Sequence, residues 1–250
     1  MKTKMRCKVF SLVLAFAMLL SCGIMAFAAE EPEIETYAVN SNGETYGNNL
    51  QAQSIGVESD LILAVGDNGV TGYVRSSDLN ESVSTPEEAL LHTESNGRYI
   101  PLYESDGETV IGKFYVGNRF TTPNVMRSSY TYGNTGVMSP PGYTGYSKSA
   151  VRGCTNGVNG KTSVSTSKQV AAGWIGVQVF VYKQSTGALV ASSDWVYNGS
   201  AASYFEKEIY HFSITGEAYY CQGQARMWNS EISDYWTYST YASPAANAGS

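Results

Sequence analysis

Residues 176–198, GVQVFVYKQSTGALVASSDWVYN, decide the fold. The valines at positions 177, 179 and 181 face one way, and Phe180 and Tyr182 face the other. This period of two is typical of a β-strand with two different faces. The Ser-Thr-Gly triplet at 185–187 marks a turn before a second apolar run. The stretch therefore predicts an antiparallel hairpin.

The same pattern continues toward the C-terminus. Residues 203–214 alternate again, and aromatic-rich runs follow from 217 to 228 and from 235 to 244. Strand-length runs about every 10 to 15 residues, with no helical pattern between them, favour an antiparallel sandwich or barrel. The sequence predicts a mainly β protein with a β-sandwich at 117–250, immunoglobulin-like in the broad sense.

Residues 43–116 predict a smaller unit of different character. Turn signals at 67–69 (Asp-Asn-Gly) and 105–107 (Ser-Asp-Gly) each separate two apolar runs, which predicts two hairpins. Between the hairpins, Thr85 precedes a proline and Glu88 stands three residues later, a pattern that favours a capped helix start. We expect a small ββαββ unit.

Four sequence segments of this unit also show a resemblance to a known region. NGETYG (42–47), ESDLILAVGDNGVTGYVRSSDL (58–79), TPEEAL (85–90) and IPLYESDGETVIGKF (100–114) resemble an N-terminal region found in exported proteins of low-GC Gram-positive bacteria. The resemblance covers about residues 42–116 and implies an exported protein of such bacteria. It implies no activity.

The N-terminus predicts export. Four basic residues within positions 2–8 precede an apolar run at 9–20, and Ala-Phe-Ala at 26–28 fits a leader-peptidase site. Residues 1–28 are therefore predicted to be a signal peptide, and the protein to be secreted or associated with the cell surface. In a minor alternative, Leu-Leu-Ser-Cys-Gly at 19–23 is a lipobox, and Cys22 would be lipidated. Residues 29–42 read as an acidic spacer, and no later stretch is long and apolar enough to span a membrane.

Two cysteines remain after the leader, Cys154 and Cys221. A disulfide is the expected state in an oxidising compartment, and two buried free thiols are the alternative. Tyr219 stands two residues before Cys221 and Trp174 lies between the cysteines, as in an immunoglobulin sandwich. However, Cys154 lies in a turn-like sequence, so descent from an antibody-type domain is not expected.

Charge is distributed unevenly along the chain. Residues 30–110 hold 16 acids and two bases, whereas residues 111–250 hold six acids and ten bases. Two independently solvated surfaces, or an acidic part that masks a basic part, would both produce this asymmetry. A basic second part suits an anionic partner.

The sequence predicts no enzyme, no cofactor and no metal site. His92 and His211 have no ligand residues at metal-binding spacing. A Ser-x-x-Lys match at 165–168 lies in a strand or loop sequence, whereas that nucleophile requires a helix start. The few carboxylates of the second part form no obvious facing pair.

Aromatic residues are the functional candidates. Surface tyrosine and tryptophan provide rigid amphipathic contact area for sugars or peptides, although they also serve as ordinary strand filler. The predicted partners are a wall polymer, a glycan or a protein, with no nucleic acid; the alternative is a bacteriocin- or toxin-like effector masked by its acidic N-terminal segment. The candidate binding residues in the last two strands are Trp228, Tyr235, Trp236, Tyr238 and Tyr241.

Overall fold

The computed structural model describes residues 36–80, 83–92, 97–119, 128–214 and 216–249. Residues 35–250 cluster as one compact unit. The predicted signal peptide and Cys22 lie outside the described residues, as does the first half of the predicted spacer, residues 29–35. Among the described residues, no helix has the length and apolar character needed to cross a membrane.

The N-terminal elements follow the predicted ββαββ order, with four additions. The two hairpins and the helix between them are confirmed, and two short initial strands and two further helices join them. The elements are β1 (Ala38–Val39), β2 (Thr45–Gly47), α1 (Asn49–Ile55), β3 (Leu61–Val65), β4 (Thr71–Arg75), α2 (Ser76–Leu79), α3 (Pro86–Leu91), β5 (Arg98–Tyr103) and β6 (Val110–Val116).

Side-chain caps explain where two of the helices begin. At α3, the Thr85 hydroxyl accepts a hydrogen bond from the Glu88 amide at 3.2 Å, and the Glu88 carboxylate accepts one from the Ser84 amide at 2.8 Å. At α1, Asn48 and Gln51 form a reciprocal capping box. This satisfies amide groups that the first helical turn would otherwise leave unpaired.

In the described part of residues 117–250 every regular element is a strand, which confirms the β prediction. Its strands are β7 (Thr131–Tyr132), β8 (Gly136–Met138), β9 (Gly145–Cys154), β10 (Gly157–Val170), β11 (Ile175–Gln178), β12 (Phe180–Lys183), β13 (Leu189–Ser192), β14 (Val196–Tyr197), β15 (Ala202–Phe212), β16 (Ala218–Cys221), β17 (Gln224–Asn229), β18 (Asp234–Ser239) and β19 (Ala246–Asn247).

Two layers of antiparallel strands make the sandwich. One layer is the five-stranded sheet in the order β15-β10-β9-β7, with β8 also paired to β9. The other layer contains three long strands that are each interrupted halfway: β12 with β11, β13 with β14, and β16 with β17. The halves pair in the same lateral order above and below the interruption. Valines and Ile209 fill the space between the layers.

Buried hydrogen bonds hold the interruption in place. The amide group of Gln178, fully buried, donates from Nε2 to the carbonyl oxygens of Leu79 at 2.9 Å and Ser193 at 3.0 Å. The Ser193 hydroxyl accepts from the Val179 amide at 2.9 Å. Side chains therefore form hydrogen bonds with backbone groups at the point where the pairing between strands is interrupted.

The N-terminal strands continue the second layer of the sandwich. β13 pairs in parallel with β6 through Ser192 and Val116 and with β3 through Leu189 and Ala64, which makes one ten-stranded sheet. One apolar core contains Leu102 and Phe114 together with Phe180 and Leu189. β6 ends at Val116, and both the sheet and the apolar core continue from residues 43–116 into residues 117–250.

The predicted disulfide between Cys154 and Cys221 is not formed, and both cysteines are free and buried. Cys221 lies between the layers, where its thiol donates to the Lys161 carbonyl at 3.4 Å. Cys154 pairs with Gly157, four residues from Lys161 along β10 or roughly 13 Å at strand spacing. It also shares strand parity with Arg152, on the outer side of the five-stranded sheet. Two cysteines on opposite faces cannot meet the geometry of a disulfide.

Both thiols should therefore be protonated and insensitive to reductant. Burial raises the pKa of Cys221 to about 11 and also raises the pKa of Cys154. We expect the same denaturation midpoint with and without reductant, whereas loss of a disulfide would cost about 4 kcal/mol. Peptide mapping after alkylation without reduction should find both residues alkylated; a cross-linked Cys154–Cys221 peptide would contradict the structure.

His211 on β15 predicts a specific acid sensitivity. Its ring lies against Tyr219, with centroids 4.9 Å apart, and burial lowers its pKa to about 4. The unfolded chain takes up this proton near pH 6.5, so the stability contribution is complete above that pH and is lost as the pH falls toward 4. The loss should approach about 3 kcal/mol.

Urea titrations of the parent protein and of the variant His211→Asn from pH 7 to pH 4 test this prediction. The carboxylates titrate in both proteins, so the difference between them reports the contribution of His211 alone. The stability difference between the two proteins should shift in favour of the variant as the pH falls. A difference that does not change with pH would refute the assignment.

Candidate binding face

Tyrosines and charged side chains cover the outer face of the five-stranded sheet. Strand pairing aligns residues from β9, β10 and β15, and β7 extends the face beyond β9. We call this surface the tyrosine face: its tyrosines are Tyr130, Tyr132, Tyr146, Tyr204 and Tyr210, and its charged residues are Lys148, Arg152, Lys161, Glu206 and Glu208.

The register arranges these side chains in rows across the sheet. Tyr132 pairs with Ala150, which pairs with Lys161, and Lys161 in turn pairs with Glu208. Directly opposite residues of an antiparallel pair project to the same side of the sheet. The rows therefore place tyrosines and charges on one continuous surface.

A second row lies farther along the same strands. There Tyr146 and Tyr204 flank Ser165. The two rings sit two strands apart, or roughly 10 Å at the usual interstrand spacing. The small serine between them leaves a shallow trough bordered by aromatic rings.

Three of these rings are open to solvent. Tyr132 is 48%, Tyr146 42% and Tyr204 52% exposed. The residues of opposite parity in the strands of Tyr146 and Tyr204, such as Val151 on β9 and Ile209 on β15, are buried against the other layer. The three tyrosine rings are therefore available for contact and are not part of the core.

Ion pairs fix the charged side chains between the rings. The Lys161 ammonium lies 3.2 Å from the Glu206 carboxylate, and the Arg152 guanidinium lies 3.4 Å from Glu208. Asn159 donates from Nδ2 to the same Glu208 carboxylate at 3.2 Å. Pairs of this kind contribute little stability at a surface but restrict side-chain orientation.

Cations also lie over the tyrosine rings. Arg152 is 4.1 Å and Lys161 4.4 Å from the centroid of Tyr130, and Lys148 is 5.9 Å from that of Tyr132. These distances are within the range of cation–π attraction. Among the described residues, Lys148 has no carboxylate within ion-pair distance. It therefore offers a positive charge that the face itself does not neutralise.

The protonation states follow from the same contacts. Burial opposes the charged form of Lys161, but hydrogen bonds to Glu206 and Tyr132 outweigh burial and raise its pKa. Burial, followed by the hydrogen bond to Glu206, raises the pKa of Tyr204. At neutral pH the face presents a charged ammonium beside a neutral phenol, both of which donate hydrogen bonds.

Two buried polar atoms border the face near Tyr130. Arg152 Nε and Asn159 Oδ1 have no hydrogen-bond partner within the part of the chain that the structure describes. Asn159 is fully buried. Both atoms are buried, so they lie beneath the surface of the face and are not open to a ligand from solvent.

The five aromatics singled out from the sequence do not form one surface. Trp228 and Tyr235 are buried with Trp195 and Tyr197 under Ala89 of α3. The Tyr235 hydroxyl donates to the Gly173 carbonyl. These two side chains belong to the core because α3 covers that side of the sheet.

The other three lie at the edge of the molecule. Trp236 and Tyr238 project from edge strand β18 on the same side as Met227 and Ala225, which are fully buried. Trp236 is half-buried, whereas Tyr238 and Tyr241 are exposed. Tyr241 lies two residues beyond the end of β18. Alternation separates the two faces of a strand but does not say which face meets the core.

A sequence signal for half of the tyrosine face was present. In residues 203–214, Tyr204, Glu206, Glu208 and Tyr210 alternate on one side of a single strand. The remaining side chains of the face lie on β7, β9 and β10, with Tyr130 just before β7. β10 joins them to β15, because it pairs with β9 on one side and with β15 on the other, and no local pattern specifies those pairings.

The fold and this face define a mainly β protein of the sandwich class with an aromatic and charged sheet surface. Comparison with known proteins adds no relationship, since no family model, no curated protein and no solved structure matches the chain. In the described part of the chain, no three His, Cys, Asp or Glu side chains are grouped to hold a metal ion.

Paired substitutions should separate core aromatics from exposed ones. We expect Trp228→Ala to lower the free energy of unfolding by about 3 to 5 kcal/mol because it leaves a cavity beneath α3. Tyr238→Ala should change it by less than about 1 kcal/mol, since the side chain lies on an edge strand and is 39% exposed. Urea denaturation measures both values; equal losses would contradict the placement of Trp228 in the core.

Proposed function

We propose that the protein is an exported, non-enzymatic binding protein of the bacterial envelope, and that the tyrosine face binds a hydroxyl-rich anionic polymer such as a wall glycan. The observation that carries this proposal is the row of exposed tyrosine rings beside the unneutralised charge of Lys148. Export itself rests on the predicted signal peptide.

The chemistry of the face matches such a ligand in two ways. The exposed rings of Tyr132, Tyr146 and Tyr204 present flat apolar surfaces on which the faces of sugar rings can stack. Between these rings, ammonium and phenol groups donate hydrogen bonds to hydroxyl or anionic oxygens. Electrostatic attraction to a polyanion adds to binding at low salt and is screened as the salt concentration rises.

The shape of the face also favours a polymer over a small molecule. The exposed rings lie in two rows on one side of a sheet, and both rows are open to solvent. A chain with repeated units can contact both rows at once, and each additional contact increases retention. A small ligand would reach only one row.

The alternative, an effector released from an acidic masking segment, gains no support from the contacts. Cleavage near Gly117 would remove β6, whose Val116 pairs with Ser192, and would open the apolar core around Phe114. An interface of this kind resembles the interior of one domain more than a removable mask.

Retention on purified cell wall tests the proposal. We expect the parent protein to be retained at low salt and partly released at high salt. The substitutions Tyr132→Ala, Tyr146→Ala and Tyr204→Ala should each weaken binding roughly 2- to 10-fold, which corresponds to about 0.5 to 1.5 kcal/mol per aromatic contact. Lys148→Gln should reduce the salt dependence.

Tyr238→Ala is the matched control, because it removes an exposed tyrosine from a different sheet. It should leave retention unchanged. The proposal fails if the parent protein is not retained at either salt concentration, or if the control weakens retention as much as the three substitutions on the tyrosine face.

A further inference from the structure

A cleft of about 300 Å³ lies on the far side of the sandwich from the tyrosine face. α1 and the segment after it form one wall, and the aromatic side chains of β12 form the floor. Residues 222–224 and 239–242 close the opposite side. We call this space the α1 cleft. It shares no residue with the tyrosine face.

Hydrogen bonds fix the inner wall of the cleft. Asn49 Oδ1 accepts from Gln53 Nε2 at 2.8 Å and from the Tyr220 hydroxyl at 2.9 Å. The Tyr220 ring in turn stacks on Tyr182, with centroids 5.4 Å apart. The Asn49 amide also donates to the Gly187 carbonyl at 3.1 Å, so the first residue of α1 is bonded to the sandwich through both its backbone and its side chain, which holds this wall of the cleft in place.

The charged side chain that lines the cleft is negative. Glu58 is the one ionisable carboxyl group among the lining residues, which include no lysine, arginine or histidine. Its carboxylate accepts a hydrogen bond from the Ser76 hydroxyl at 3.2 Å, and no cation pairs with it among the described residues. Burial raises the pKa of Glu58, and the bond from Ser76 only partly opposes this effect.

A second acceptor lines the same space. The side-chain oxygen of Gln222 is buried and has no hydrogen-bond partner within the described part of the chain. At the rim, the ring of Tyr241 is 57% exposed. The cleft thus combines a carboxylate, an unused amide oxygen and an aromatic ring, and it lacks any positive charge.

We propose that the α1 cleft binds a small molecule or a terminal group that carries a protonated primary amine. The ammonium pairs with Glu58 and donates a further hydrogen bond to Gln222, which uses two of its three donors. Tyr241 at the rim supplies an aromatic face that attracts a cation. A neutral polyol of the same size gains the hydrogen bonds but not the ion pair.

The test uses three sugars that differ at one position. Glucosamine carries the ammonium, N-acetylglucosamine replaces it with an acetamide, and glucose replaces it with a hydroxyl. Isothermal titration of the full chain at neutral pH should show glucosamine binding at least 10-fold more tightly than either analogue. Ethanolamine serves as a smaller amine probe and should compete with glucosamine.

Glu58→Gln preserves the shape of the carboxyl group and removes its charge. It should weaken glucosamine binding by about 10-fold or more, in line with the strength of hydrogen bonds to charged groups. Glu87→Gln, at an exposed acid of α3, is the matched control and should leave binding unchanged. Unfolding curves of both variants establish that they remain folded.

Three results would overturn the proposal. Neither amine binds; or glucose and glucosamine bind equally well; or Glu58→Gln binds glucosamine as tightly as the parent protein. Equal binding of the sugars would identify a neutral polyol site instead. None of these results bears on wall retention by the tyrosine face, so the two proposals stand or fall separately.

Discussion

The architecture depends on one buried amide. Gln178 lies where the long central strand of the second layer is interrupted, and its side chain bonds the carbonyls of Leu79 and Ser193 at once. Leu79 ends α2 in the N-terminal unit, whereas Ser193 lies between β13 and β14 of the sandwich. One side chain therefore bonds both parts of the molecule, at the place where these backbone carbonyls lack a partner in the strand pairing. An apolar replacement would leave two buried carbonyls without these bonds.

Local patterns in the sequence predicted the elements well. Turn triplets fixed the hairpins at Gly69, Gly107 and Gly187, since each glycine has a positive φ that other residues rarely adopt. Proline and the cap at Thr85 fixed the start of α3. These signals work because they act between residues only a few positions apart.

Features that depend on distant residues could not be predicted in the same way. The opposed orientation of Cys154 and Cys221 follows from the register of β9 and β10 and from the layer to which β16 belongs. The burial of Trp228 follows from α3, which covers that side of its sheet. The α1 cleft exists because a helix from one part of the sequence packs on strands from another. The aromatic residues were predicted as binding residues from composition, and composition does not distinguish exposed rings from rings in the core.

The parallel pairing of β6 with β13 also has a consequence for how the chain folds. Val116 meets Ser192 across a sequence separation of 76 residues. The N-terminal hairpins can form early, because their contacts are local, but the edge of β6 then waits for a strand from the middle of the sandwich. Until β13 arrives, that edge presents unpaired backbone groups to any other extended chain. The pairing that completes the ten-stranded sheet is therefore also the pairing that removes this open edge.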